Sequence, residues 1–300
     1  MAQNVNEKPA TASGTFKVGG DIEIYRLGYG AMRITGDGIW GPPKDKQESL
    51  AVLRRTLELG INFIDTADSY GPEVSESLIA EALYPYPKNL LIATKGGLLR
   101  TGPGQWPEDG RPEHLREALE GSLRRLRVDH IDLYQFHRPD PKVPFEDSVG
   151  EVAKMKQEGK VRHVGLSNVT PQELERAQKI VPIVTVQNRY NISDHTSERL
   201  DAEQSDKFID ICAQQGIGFI PWGPLAAGNL ARPGGVLEQV AKQHNAKPGQ
   251  ITIAWLLHRS PTMLPIPGTS SVKHLEENVR GATIKLSQQD FEAISNAAKS

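Results

Sequence analysis

"GINFIDTADSYG", residues 60–71, sets a short apolar run directly against a polar cluster. Gly60 closes a turn, Ile61 to Ile64 read as a buried strand, and Asp65, Thr66, Asp68, Ser69 and Tyr70 follow at once. Polar residues at a strand end commonly make turns. They also form the floor of an active site when several strands end at the same face of a barrel. Which of the two applies depends on what the rest of the chain carries at equivalent places.

The stretch is one of eight similar ones. Strand-like runs rich in Ile, Val, Leu and aromatics occur at 26–32, 61–67, 90–95, 131–137, 161–167, 183–188, 217–222 and 263–268. Such compact apolar runs suit parallel strands buried on both faces. Amphipathic helical patterns follow nearly all of them, at 46–60, 75–83, 111–128, 144–160, 170–180 and 201–216, with further helices after the seventh and eighth strands. Gly60 stops the first helix, and Pro112 opens the helix at 111–128. Eight strand–helix units in one chain predict a single-domain α/β fold, a (β/α)8 TIM barrel. A doubly wound open sheet fits less well, because no Gly-x-Gly-x-x-Gly turn follows a strand. The barrel is expected over residues 15–300, with a flexible tail over residues 1–14 that lacks the basic start and apolar run of a signal peptide.

Composition narrows the function classes. The 300 residues are 38% hydrophobic and 24% charged, with a formal net charge of −2, which favours neither nucleic acid nor a membrane as partner. The one cysteine, Cys212, excludes an internal disulfide framework and a cysteine-cluster metal site, and a reducing cytoplasmic setting is expected. No heptad pattern or long exposed apolar helix sets an oligomeric state.

The barrel ends carry convergent chemistry. The second strand ends in Asp65 with Tyr70 a turn later, the third in Lys95, and the fourth in His137. The fifth ends in Ser167 and Asn168, the sixth in Gln187, and the seventh in Trp222. A buried lysine needs a partner, and Asp65 on the neighbouring strand supplies one. Lys95 beside Tyr70 would lower the phenol's pKa and make it a usable proton donor. Taken singly, each residue has a plain structural explanation: an ion pair, a turn aromatic, a satisfied histidine. Four groups of these types on adjacent strand ends point to a catalytic site with Asp65, Tyr70, Lys95 and His137 as its members.

These residues carry a resemblance. "GINFIDTADSYGPEVSESLIAEAL", "GKVRHVGLSN" and "PIPGTSSVKHLEEN" resemble three motifs of the aldo-keto reductases, and the likeness runs from about Arg26 to Lys299. The resemblance implies NADPH-dependent reduction of aldehydes or ketones by a monomer that requires no metal, and the family's Asp, Tyr, Lys and His tetrad falls on the four residues above. It implies that Ser167, Asn168 and Gln187 hold the nicotinamide carboxamide, and that Trp222 stacks on the ring. Gly30, Ala31 and Met32 would flank the cofactor, and Gly223, Pro224, Leu225 and Gly228 would follow its pyrophosphate. Pro267, Gly268, Thr269, Ser270 and His274 would hold the adenosine 2′-phosphate, with Glu277 and Asn278 at the adenine. Gly268 and His274 replace a lysine and an arginine common in the family, which leaves NADH as a second candidate cofactor.

Pocket walls are expected from the long loops: Ile39 and Trp40, the segment from Leu98 to Trp106 after the third strand, and Arg138 beside the tetrad histidine. A flat ligand would suit the tryptophans, and "RLGYGAM", "GIWGPPKDK" and "EALYPYP" look most like a bacterial branch that includes pyridoxal reductases. The partner is therefore expected to be a small aldehyde or ketone, pyridoxal or another aromatic aldehyde among them. Two other functions compete: an NADPH-binding regulatory protein resembling the potassium-channel β-subunits, and NAD-dependent alcohol oxidation.

Overall fold

The computed structural model of the protein describes residues 8–226 and 234–299. The chain begins with a hairpin of β1 (Thr15–Val18) and β2 (Ile22–Tyr25), whose antiparallel register pairs Phe16 with Ile24. Strand–helix units follow: β3 (Tyr29–Gly30) and α1 (Lys46–Glu58), β4 (Phe63–Asp65) and α2 (Val74–Leu83), β5 (Leu91–Gly96) and α3 (Pro112–Leu126). Next come β6 (Ile131–Phe136) and α4 (Phe145–Gln157), β7 (Val161–Ser167) and α5 (Pro171–Gln178), then β8 (Ile183–Arg189) and α6 (Ala202–Gln214). Strand β9 (Gly218–Trp222) is followed by α7 (Val236–Gln243), α8 (Pro248–Arg259), α9 (Val272–Val279) and α10 (Gln288–Lys299). Strands β3 to β9 form one parallel sheet in sequence order.

Local sequence explains the helix starts. The Asp45 side chain accepts from the Glu48 N–H at the head of α1. Thr170 with Glu173, and Asp201 with Gln204, form reciprocal caps on α5 and α6. Left-handed Gly60, at φ 88°, turns the chain from α1 into β4.

The predicted eighth strand at 263–268 is not a regular strand. Its chain still closes the sheet: the Phe219 N–H donates to Thr262 O, the Leu264 N–H to Phe219 O, and the Gly28 N–H to Pro265 O. Pro265 and Pro267 have no N–H to give, so a continuous ladder cannot form there. The tail predicted over residues 1–14 also needs correcting at its end. Pro9–Ser13 form a 3-10 turn whose Ala10 is wholly buried, and the Ser13 hydroxyl accepts from the Leu27 N–H.

Alternation along the strands separates two cores. Ile64, Ile92, Tyr134, Phe136, Val164, Leu166 and Val186 face the helices. Phe63, Leu91, Leu133, Ile220 and Leu264 face inward and pack with Val18 and Ile24 of the hairpin. The hairpin therefore plugs the N-terminal end of the barrel. The next inward layer toward the other end is polar, and it contains Asp65, Lys95, Gln135 and Gln187.

Candidate active site

The strand ends bring the four predicted residues together. Lys95 Nζ lies 2.5 Å from Asp65 Oδ1, 2.8 Å from Thr66 O and 3.2 Å from Tyr70 Oη, so all three of its N–H groups have acceptors. Asp65 Oδ2 accepts from Gln135 Nε2 and from Gln187 Nε2, each at 2.9 Å. The Tyr70 ring stands edge-on to His137 at 6.0 Å and to Trp106 at 6.3 Å between centroids. Strand register accounts for the cluster: Lys95 pairs with Gln135 across β5 and β6, and Ser167 with Gln187 across β7 and β8.

Electrostatics assign protonation. Burial pulls Lys95 downward, but the Asp65 carboxylate and Tyr70 more than offset it, and the ammonium is held above its ordinary range. Burial likewise pushes the Tyr70 phenol up. The expected lowering by Lys95 is present, but burial outweighs it and Asp65 opposes it. Tyr70 thus carries its proton at neutral pH. Burial, with Lys95 and Arg138 nearby, holds His137 well below the usual imidazole range, so it is neutral. Its Nδ1 is buried without a partner among the described residues. Behind the tetrad, burial and then Glu76 raise the Asp68 carboxyl to about 8.

Three of the predicted cofactor residues, Ser167, Asn168 and Trp222, are joined by hydrogen bonds into a rim at the strand ends. Asn168 sits in the left-handed region at φ 57°. Its Nδ2 donates to His137 O and its Oδ1 accepts from the Trp222 indole at 2.9 Å. Ser167 accepts from the same Asn168 amide. Gln187 reaches down to Asp65, so it belongs to the polar layer beneath the rim. Gly30 and Gly268 lie so close that a Cβ on Gly268 would come 2.6 Å from Gly30 O. Buried Ala31 and partly buried Met32 continue from Gly30 in a 3-10 turn. Pro224 is buried between Gly223 and Leu225, whereas Gly228 lies outside the described residues.

Around the start of α9, Pro267 and Thr269 are buried while Ser270 and His274 are exposed. The first free N–H of α9, on Val272, is taken by Glu48 Oε1 at 2.8 Å. Glu277 pairs with Lys247, and the Arg280 N–H donates to Asn278 O.

The predicted pocket walls are more constrained than their types suggested. Arg138 bridges Glu108 at 3.3 Å and Glu198 at 3.0 Å. Trp40 is 36% exposed and Trp106 half-buried, with Arg100 beside both rings. Gln135 lies outside the sequence expectation, although an amide inside the apolar run "IDLYQFH" is a signal for it. Arg100 falls within the segment expected to line the pocket, but nothing in "LLRTGPGQW" marks it out from its neighbours. No helix among the described residues is long and apolar enough to cross a membrane, and none of their acidic, histidine or cysteine side chains cluster to hold a metal.

Comparison with known proteins identifies the family and the fold. The profile of the aldo/keto reductase family matches residues 26–299. An uncharacterized oxidoreductase of Schizosaccharomyces pombe is 54% identical over 97% of this chain and 92% of its own. Pyridoxine 4-dehydrogenase of Escherichia coli is 41% identical over 96% of this chain and 99% of its own. A thermostable aldo-keto reductase solved with the inhibitor epalrestat superposes with a TM-score of 0.81 at 30% identity, covering 95% of this chain and 99% of that one.

Proposed function

Since the chain belongs to the aldo/keto reductase family and is an oxidoreductase, we propose that it reduces an aromatic aldehyde of the pyridoxal type, with NADPH as cofactor and Tyr70 as general acid. The observation that carries this reading is the contact of Tyr70 Oη with the buried Lys95–Asp65 pair. The E. coli relative's name supports the substrate class, because oxidising pyridoxine at its 4-position and reducing pyridoxal are one reaction read in two directions.

The residues present fit a nicotinamide dinucleotide. The Gly30–Gly268 approach is set by packing within the chain, since a Cβ on Gly268 would strike Gly30 O, while the unpartnered Nδ1 of buried His137 is a polar atom left over at the site for a ligand. Ser167, Asn168 and Trp222 would hold the ring end, and Thr269 and Ser270 the phosphate end. When bound, the reduced nicotinamide supplies the hydride.

The chain's own residues handle the oxygen and the proton. Neutral His137 orients the substrate carbonyl by a hydrogen bond. Tyr70 gives its proton to the oxygen as negative charge develops there. Lys95 stabilises the tyrosinate that remains, and Asp65, fixed by Gln135 and Gln187, keeps the ammonium in place. Such preorganised charge acts strongly because the site is dry.

A second cofactor reading has its own observation. Glu48 Oε1 accepts from Val272 N–H at the head of α9, the helix start that the family resemblance assigns to the 2′-phosphate, and a carboxylate there would repel that phosphate and favour use of NADH as well.

Titrating intrinsic fluorescence with NADPH and NADH, then following loss of reduced-cofactor absorbance with pyridoxal, tests the proposal. Saturable binding with turnover is expected. Binding without turnover of pyridoxal or any simple aldehyde would favour a regulatory role, and absence of binding to a folded chain would overturn the cofactor assignment.

A further inference from the structure

Arg100 belongs to none of the roles above, yet it is the most heavily engaged cation near the site. Its Nε donates to Gln105 O at 2.9 Å. One terminal nitrogen donates to Ile39 O at 2.6 Å and Ser69 O at 2.9 Å, and the other to Gly38 O at 3.0 Å and Gly102 O at 3.3 Å. A guanidinium has five N–H donors in a fixed fork, and here each has a backbone carbonyl. The acceptors lie on the loops after β3, β4 and β5, so one side chain joins three neighbouring strand ends.

The same group also organises aromatics. Its guanidinium carbon lies 3.6 Å from the Trp106 ring centroid and 5.5 Å from that of Trp40. Trp106 in turn meets the Tyr70 ring edge-on. A guanidinium over an aromatic face is attracted by the ring's electron density, more so when both are shielded from water.

Backbone geometry adds an independent sign. Ile39 has φ 57°, a region that a β-branched residue rarely adopts without support. Its carbonyl is the one that accepts the shortest Arg100 bond. The turn that carries Trp40 is therefore held in a costly shape by Arg100.

We infer that Arg100 is a positioning residue for substrate: it locks the loops after β3, β4 and β5 and, by stacking on Trp106, holds that indole against Tyr70 as the wall on which the carbonyl compound docks. The inference rests on the reductase reading. Its donors are all in use, so Arg100 shapes the wall and does not bind a substrate anion itself. Lysine cannot replace it, having three donors on a point charge and no plane to stack.

The test compares Arg100→Lys, Arg100→Ala, Trp106→Ala and the Arg100→Ala/Trp106→Ala pair, each shown folded by circular dichroism. Loss of docking without loss of chemistry predicts that both Arg100 variants raise KM for pyridoxal by about tenfold, with kcat within about threefold of wild type and NADPH affinity unchanged. In the Trp106→Ala background, Arg100→Ala should add less than about twofold, since it acts through that ring. An unchanged KM, or fully multiplicative effects, overturns the inference. A readout free of turnover separates this outcome from failure of the reductase reading. The near-ultraviolet circular dichroism of Trp106, taken as the difference from Trp106→Phe, should collapse when Arg100→Lys is introduced. If it persists, Arg100 does not position the indole.

Discussion

Lys95 Nζ and Asp65 Oδ1 lie 2.5 Å apart, with 0% and 2% of their side chains exposed. A pair so deeply buried costs much desolvation and is held only by its own attraction and its other hydrogen bonds. Removing one partner strands the other. Lys95→Met should therefore destabilise the fold by about 3–5 kcal/mol, read from the urea midpoint. Adding Asp65→Leu should restore part of that loss, because the orphaned carboxylate is gone. Additive losses would mean that the two charges are not coupled.

The proton on Tyr70 should set the pH behaviour. Tyr70→Phe should lower kcat for aldehyde reduction by about 10²–10⁴ while leaving NADPH affinity nearly intact. Turnover within a few-fold of wild type would assign the acid to another group. Because burial keeps the phenol above its ordinary pKa of about 10, reduction should stay level through neutral pH and fall only in strong alkali. Oxidation of the alcohol, which needs tyrosinate as base, should rise with pH. Neutral His137 should leave no limb near the ordinary imidazole value of about 6.5.

Asp68 offers a stability readout separate from catalysis. The folded chain holds its proton up to about 8, chiefly through burial, and its Oδ1 has no partner among the described residues. An unfolded chain releases the same proton near about 3.9. The folded state therefore binds it more tightly, and the stability this contributes is full below about 3.9 and is lost as pH rises through about 8. Asp68→Asn should melt several degrees above wild type at alkaline pH, with the gap closing as pH falls toward about 4. A gap that does not vary with pH would show that Asp68 ionises freely in the fold.

Glu48 should influence cofactor choice. Replacing it with glutamine keeps the hydrogen-bonding shape at Val272 and removes the charge. Charges at a helix head act with about 0.3–2 kcal/mol, so the NADPH-to-NADH affinity ratio should rise about threefold to tenfold in equilibrium titrations. An unchanged ratio would place the 2′-phosphate away from this helix.

What the sequence disclosed follows from the range of each interaction. Strand and helix positions were legible because burial and capping are written locally, as in Ile61–Ile64 or Thr170 with Glu173. The tetrad was legible because barrel topology turns strand ends into neighbours. The eighth strand was overread, because an apolar run says nothing of N–H groups that two prolines lack. The hairpin at residues 15–25 was missed, since its alternation is short and its purpose lies in a plug formed with distant strands. The phenol's direction was misjudged because the cation was visible in the sequence while the depth of burial was not. Arg100 lay in a segment expected to line the pocket, but its particular role was not legible for a similar reason: its acceptors are carbonyls, which every residue has.

The plug formed by β1 and β2 covers the N-terminal end of the barrel, so among the described residues the polar layer is approached from the C-terminal ends of the strands. Two ligands that share one entrance must queue. On the proposed reading, the nicotinamide lies against the rim formed by Ser167, Asn168 and Trp222, and the aldehyde stacks above it beside Trp106. On that reading the dinucleotide would be seated before the aldehyde and released after the alcohol, so turnover would follow a compulsory order.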